Sequence, residues 1–539
     1  MGDGPPGKRV RHARHALTRR AGCAYHAAWA ANPGLLTTNN VTQRVVTQLG
    51  ERPGGLAGGR SRHARAKLPL LCAIMLVAGC TGQQPPPPRE PPPRQAALRV
   101  VVAGDAVLAR AVSRLRGAWQ EAGGGELTVV ETSADELVHA AANADVLLYP
   151  VRYQGLLAEQ GLLDVLPAVQ REAPDAAWND IFESLRVKQL AWGDQTVAVP
   201  LGLPVYTCMY RAKVLEQQGL QPPQTWAELA ALAATLRDRH TDAGDTAEPR
   251  HVVLLPLAEG WAGLTFLCHA AAYVRHRDQY SDLFDLDSLD PLVAGPPFVK
   301  ALTELSALAG PGRDRNLQLT PTEAFQAICR GECVLTLGWP VPVSARGTSS
   351  PLEVPVDLQF AEAPGADAAF NRDTREWDAR TPTESPHVTL LGAEGRLGSA
   401  IKGRPHSQAA WEFLLWLSGP RWSERVSTSS AAATLFREAH LRSPGPWIDE
   451  LRPTAARSYG HVLQQSLTQR PVLLAPRLPG ADRYLAALDR AVRAVVIGER
   501  KPREALRATA EEWKQITAEL DIARQKRAYH ASLGLLLEP

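Results

Sequence analysis

The sequence predicts an α/β protein of two lobes, each a mixed but mostly parallel sheet flanked by helices. Three observations carry that expectation. From residue 98 onward, strand-like apolar runs alternate with amphipathic helical stretches, the order that builds a parallel sheet covered by helices. The chain has 539 residues, enough for two cores of ordinary size once an N-terminal tail is set aside. Hydrophobic residues at 45% and charged residues at 21% give the balance of a globular chain, neither disordered nor multi-spanning.

The beginning of the chain stands apart from that fold. Residues 1–61 are rich in Arg, Gly, Pro and His without a sustained apolar period, and read as a disordered tail or a start assigned too far upstream. Residues 62–79 read as a signal peptide, with a basic stretch (Arg62, His63, Arg65, Lys67) before an apolar run at 68–77. That run is about half the length of a membrane span, so cleavage is expected rather than retention. Val77-Ala78-Gly79-Cys80 resembles the bacterial lipobox, which implies that Cys80 is lipidated and becomes the mature N-terminus. Prolines at 85–88 and 91–93 favour extended polyproline II, so residues 80–97 read as a tether.

The folded region opens as β-α-β-α-β. Residues 98–102 form a strand signal, and 107–121 place Leu108, Val112, Leu115 and Trp119 on one helical face. A second strand signal at 127–130 is followed by Ser133 and Glu136, a capping box for a helix ending near Asn143, and then by the apolar run 146–149. In open sheets of this kind ligands gather beyond the carboxyl ends of the strands, where Asp105 and residues 149–153 lie. A second cluster runs through 197–203 and 206–210 to a capping box at Thr225-Trp226-Ala227-Glu228, whose helix continues with Leu229, Leu232, Ala233 and Leu236. Thr320-Pro321-Thr322-Glu323 combines a capping box with Pro at the first helical position, Gly331 suits the stop, and the strand 334–337 runs into Gly338-Trp339. The chain closes with one helix marked by Tyr484, Leu485, Leu488, Val492 and Val495 before Gly498, and another from Pro502 carrying Leu506, Trp513, Ile516 and Leu520.

Composition excludes several function classes. The net charge is +3, and many cationic residues sit at or before Lys67, so the folded region has no basic excess for nucleic acid. Histidines are scattered without HExxH or Cys-x-x-Cys spacing, and no metal or cofactor is expected. Asp282, Asp285, Asp287 and Asp290 superficially suggest calcium, but Asp290 stands where a calcium loop counted from Asp285 needs Gly, so a capped surface turn is expected. Cys208, Cys268, Cys329 and Cys333 form either disulfides or buried thiols, the latter favoured. Walker A and G-x-S-x-G motifs do not occur.

The order of several weak motifs says more than any one of them. The stretch from Ala198-Val199-Pro200 to Tyr210, then Val214-Leu215-Glu216-Gln217-Gln218-Gly219-Leu220 and Pro222-Pro223-Gln224-Thr225-Trp226, resembles the lobe-to-lobe passage of the family 1 extracellular solute-binding proteins of bacteria. These are the maltose-binding-protein-like, ligand-capturing components of ABC importers. Residues 145–166, Glu323 to Gly338-Trp339, Leu397 to Ile401, and Ala409 to Leu417 resemble further segments of the same family, in the same order. Two departures are Cys208, where the family carries a larger apolar side chain, and Arg211-Ala212-Lys213 in place of its Asn-Lys pair. The resemblance implies a periplasmic-binding-protein fold with lobe 1 at 98–205 plus 385–420 and lobe 2 at 206–384 plus 421–539. It also implies a ligand cleft between the lobes and closure on ligand.

A sugar site needs flat aromatics and a few oriented polar groups in a cleft. Tyr149, Tyr153, Tyr206, Trp261 and Trp339 are the aromatic candidates at loops or strand ends, with Asp105, Arg152 and Glu259 as hydroxyl partners. Trp119, Trp411, Trp416 and Trp513 fall in helical periods and are assigned to cores. The expected function is capture of a small polar solute, a carbohydrate, for an ABC permease, by a monomer held to a bacterial membrane, at the periplasm or cell surface, through the acyl chains on Cys80. No catalytic residues are expected. The alternatives are an exported lipoprotein enzyme acting on glycans and a ligand sensor without a transport role.

Overall fold

The computed structural model describes residues 96–243, 250–342, 352–430, 434–442 and 451–535. The tail, the signal segment, Cys80 and the tether through residue 95 lie outside the described residues. Among those described, no helix is long and apolar enough to cross a membrane.

Nine strands make the two principal sheets: β1 (Leu98–Ala103), β2 (Leu127–Thr132), β3 (Val146–Pro150), β4 (Val199–Gly202), β5 (Thr207–Arg211), β6 (His251–Leu254), β7 (Cys333–Gly338), β8 (Leu358–Glu362) and β9 (Arg396–Ala400). The first sheet has the order β2-β1-β3-β9-β4. Its β2, β1 and β3 run parallel, with Leu98 opposite Leu127, as the β-α-β-α-β pattern dictates. The return strand β9 enters antiparallel to both neighbours, with Leu397 facing Tyr149 on β3 and Pro200 on β4. The second sheet, β8-β5-β7-β6, is parallel only between β6 and β7. Both sheets are thus mixed, and parallel pairing is confined to the strands joined by helical crossovers.

Alternation along the strands decides what each face buries. Val100, Val102 and Leu148 pack with Leu108, Val112 and Trp119 and with Trp411, Phe413 and Leu414 of the helix Ser407–Ser418. Gly398 lets that helix approach, because a Cβ there would stand 2.6 Å from Leu414 and 3.1 Å from Leu148. Val101, Leu147 and Tyr149 face the other way, into a cluster with Leu157 and Phe182 that reaches Met209, Phe325 and Phe360 of the second lobe. The second sheet is covered by the helices Trp226–Ala243, Ala262–Val274, Pro296–Ala309, Ala481–Ile497 and Pro502–Glu519, burying Leu229, Phe266, Phe298, Leu488 and Trp513. Each fully buried Leu, Val or Phe contributes about 1.5–3 kcal/mol of apolar transfer, the term that sets these faces inward.

Local signals mostly behave as read, with two corrections. The helix expected over 107–121 breaks at Leu115, giving Ala106–Arg114 and Arg116–Glu121, although all four face residues are buried. The Ser133/Glu136 capping box does not form: Glu136 accepts from Thr132 Oγ1 at 2.9 Å instead, and the helix starts at Leu137. Trp422 and Val426 of the helix Pro420–Ser427 pack with Trp411, and buried Arg437 donates to the carbonyls of Ser418 (2.8 Å) and Ala177 (2.7 Å). Cys208, Cys268, Cys329 and Cys333 are buried thiols, not disulfides, and burial pushes Cys208 and Cys268 up to about 12. The acidic run forms a turn in which Asp285 Oδ1 accepts from the N–H groups of Asp287 (3.0 Å) and Ser288 (2.8 Å).

Candidate functional site: the interlobe cleft

A cavity of about 210 Å³ opens between the two lobes, beyond the carboxyl end of β3. Pro150, Val151 and Arg152 line it from the first lobe, Gly260 and Leu264 from the start of the helix Ala262–Val274, and Asp482 and Leu485 from the helix Ala481–Ile497. The loop before β9 closes the remaining side with Gly392, Ala393 and Glu394. The walls are therefore apolar at Leu264 and Leu485 and charged at Arg152, Glu394 and Asp482.

Each charged residue that lines the cavity has a partner, whereas exposed Glu259 beside it has none among the described residues. Arg152 Nε lies 2.8 Å from Asp482 Oδ1, joining the end of β3 to the first turn of a helix on the second lobe. The Arg152 guanidinium also sits 5.2 Å from the centre of the Tyr153 ring, a cation–π contact. Arg396 pairs with Glu394 and, at 3.1 Å, with Asp105. Asp105 further caps its own helix by accepting from Leu108 N at 2.9 Å, and it accepts from Ser430 Oγ at 2.7 Å. Asp489 accepts from Gly263 N at 3.1 Å and from the neighbouring N–H groups of Gly260 and Ala262, so the positive end of the helix dipole is already answered by a carboxylate. Burial nevertheless raises the Asp489 carboxyl above its ordinary value, against those hydrogen bonds.

Behind Gly260 stand three aromatic rings. Half-buried Trp261 meets Trp339 edge-to-face at 5.7 Å, and Trp339 meets Tyr206 in the same manner at 5.3 Å. Thr265 Oγ1 donates to Pro256 O at 2.6 Å, so the Tyr206 hydroxyl is the donor in its 3.1 Å bond to Thr265. Trp339 Nε1 is buried and has no hydrogen-bond partner among the described residues. Gly260 itself has φ +83°, and a Cβ there would meet nothing within 4 Å, so the backbone faces open space.

Residues 105–281 match the family model described as bacterial extracellular solute-binding protein. Solved structures of similar fold include the sugar-binding protein MalE from Xanthomonas citri, 16% identical with a TM-score of 0.58 over 79% of this chain and 98% of that one. An ABC transporter solute-binding protein from Agrobacterium radiobacter, in complex with ribitol, is 18% identical with a TM-score of 0.55 over 79% and 100%. The matched stretch is about a third of the chain. Maltose-bound MalE3 from T. maritima is a further likeness, 18% identical with a TM-score of 0.54 over 78% and 99%. At such identities the structural likeness is one of fold. No curated protein sequence matches the chain.

In this chain the residues expected at the site divide into three groups. Arg152 lines the cavity, and Tyr153, Trp261 and Glu259 stand beside it, Glu259 exposed and next to Gly260. Asp105 reaches the cavity through Arg396 and Glu394. Tyr206, Trp339 and Tyr149 are buried, at 4%, 1% and 0% exposure. Tyr149 lies deepest: Ser399 Oγ donates to Val197 O, so the Tyr149 hydroxyl donates to Ser399 at 2.9 Å, and burial raises its pKa. Sequence reasoning missed Glu394, Arg396, Leu264, Asp482 and Leu485. Leu485 was visible as a helix-face residue, but no local pattern joins it to β3.

Proposed function

We propose that this protein captures a small neutral polyhydroxylated solute, a sugar or polyol, in the interlobe cleft and delivers it to the permease of an ABC importer. The charge matching at the cleft carries the ligand class. Arg152 is answered by Asp482, Arg396 by Asp105 and Glu394, and the helix N-terminus by Asp489. A charged solute would compete with these pairs, and displacing Arg396 from Asp105, whose side chains are 11% and 8% exposed, would leave a buried charge uncompensated, which is costly. Hydroxyl groups instead donate to carboxylate lone pairs that the ion pairs leave free, and accept from guanidinium N–H groups. The apolar side of a sugar ring suits Trp261, Leu264 and Leu485.

On this reading Asp105, Arg152, Tyr153, Glu259, Trp261 and Glu394 address the ligand, while Tyr149, Tyr206 and Trp339 hold the walls. Among the described residues we assign 98–205 with 385–430 and 434–442 to lobe 1, and 206–243, 250–342 and 352–384 with 451–535 to lobe 2. The mature chain works as a monomer anchored through acyl chains on Cys80 to a bacterial membrane, facing the periplasm or the cell exterior. Calorimetry against a panel of neutral sugars, polyols, sugar acids and amino acids tests the assignment. A neutral member is expected to bind, and Glu394→Ala to weaken it by at least ~10-fold, the loss of a hydrogen bond to a charged group. Binding confined to charged solutes overturns the ligand class. Absence of binding together with release of product from glycans replaces capture with catalysis.

A further inference from the structure

Far from the cleft's lining residues, a hollow of about 810 Å³ lies on the first lobe, where the described chain begins. Its aromatic wall is a run of three indoles. Trp119 meets Trp416 at 5.2 Å, and Trp416 meets Trp422 at 4.8 Å. Trp416, read from its helical period as a core residue, is only half-buried and faces this hollow. The glycine loop 123–125 forms one rim, and a Cβ on Gly124 would stand 1.9 Å from the Trp119 ring, so the indole lies directly on bare backbone. Val169, at the edge, is 79% exposed. Apolar surface of this kind rimmed by polar groups marks a contact site.

Four observations select the occupant. Ala96, the first described residue, itself lines the hollow, so the residues just before it start at its mouth. Those residues are Pro88-Arg89-Glu90-Pro91-Pro92-Pro93, which favour polyproline II, and aromatic-lined grooves are the common receptors of that conformation because it is ordered before it binds. At ~3.1 Å per residue the three prolines 91–93 span ~9 Å, so the segment need not stretch to lie along the indoles. The charges also match: the hollow presents Glu412 and Arg421, neither in an ion pair among the described residues, to a segment carrying Arg89 and Glu90. Trp119 Nε1 is a buried donor with no partner among the described residues, a bond that a carbonyl of the segment would supply.

We infer that residues 88–93 dock as a polyproline II strand in the Trp119–Trp416–Trp422 hollow. The free part of the tether then ends before residue 88, and the first lobe takes a fixed direction relative to it, with the cleft uncovered. The inference stands independently of the ligand proposed for the cleft.

Limited trypsin digestion of the full chain tests it at the bond after Arg94. Docking holds that bond near the protein surface, and cleavage from a fast-opening segment tracks its open population, so the rate is expected to rise ~10-fold in Pro91→Ser/Pro92→Ser/Pro93→Ser and in Trp416→Ala. The proline variant alters no residue of the described fold, so it decides the matter if Trp416→Ala misfolds. Equal rates in wild type and the proline variant overturn the inference. Protection that grows with protein concentration also overturns it, by assigning the hollow to a second copy of the chain.

Discussion

Half-buried Glu304 receives hydrogen bonds from the Tyr273 hydroxyl at 2.6 Å and from His269 Nε2 at 3.3 Å, and Lys300 pairs with it one helical turn away. Burial alone would raise its carboxyl, but the bonds from His269, Lys300 and Tyr273 prevail and hold it at about 2. His269 is itself kept neutral, because burial lowers its pKa, so its bond to Glu304 is that of a neutral Nε2–H donor. The bare Nδ1 fits that tautomer, having no partner among the described residues, and the ring stacks 3.9 Å from Trp226. A carboxyl depressed on folding contributes stability that is fully present above its ordinary value near 4.5 and is lost as pH falls toward about 2. Glu304→Gln is therefore expected to lower the urea midpoint at pH 7, with the gap to wild type closing as pH falls from 4.5 to 2. A gap that stays constant across that interval would assign the loss to packing rather than charge.

Thr320 and Glu323 form a complete capping box on the helix Pro321–Cys329, with Thr320 Oγ1 accepting from Glu323 N at 3.2 Å and Glu323 accepting from Thr320 N at 2.8 Å. Thr320→Ala leaves the Glu323 N–H without its side-chain acceptor and is expected to cost ~1 kcal/mol in chemical denaturation, without change in the denaturant slope. This helix was legible because cap, Pro321, apolar face and Gly331 stop all agree along a dozen consecutive residues. The Ser133/Glu136 box was not, because Thr132 at the end of β2 competes for the same carboxylate. At the Trp226–Ala243 helix the reading was half right: Thr225 Oγ1 accepts from Glu228 N, but Glu228 reaches back to Gln224 N rather than to the cap. The cleft divides by the same logic. Arg152 and Tyr153 follow a strand directly and could be found from the strand alone. Glu394 and Asp482 arrive through the return strand and a helix far along the chain, and their meeting with Arg152 is set by tertiary packing, which no local period encodes.

Across the whole molecule, the proposed capture of a solute makes closure depend on what spans the two lobes when the cleft is empty. The 2.8 Å contact between Arg152 and Asp482 is such a span, but the two side chains are 35% and 50% exposed. Pairs this open to solvent are screened and contribute ~0–1 kcal/mol, so the contact can bias the open–closed equilibrium by about 5-fold at most. Ligand must supply the rest, through contacts made only when both walls are close. Asp482→Ala is accordingly expected to shift the ligand-free protein toward the open form, seen as a larger radius of gyration in small-angle scattering. Saturating ligand should restore the wild-type profile, with affinity weakened by no more than ~5-fold. Raising ionic strength should move wild type toward the variant and leave the variant unchanged, since only the intact pair can be screened. Identical ligand-free scattering of the two proteins at low salt would mean that the lobes are held by the apolar cluster that includes Tyr149, Phe182, Met209 and Phe360, and that the ion pair merely accompanies closure.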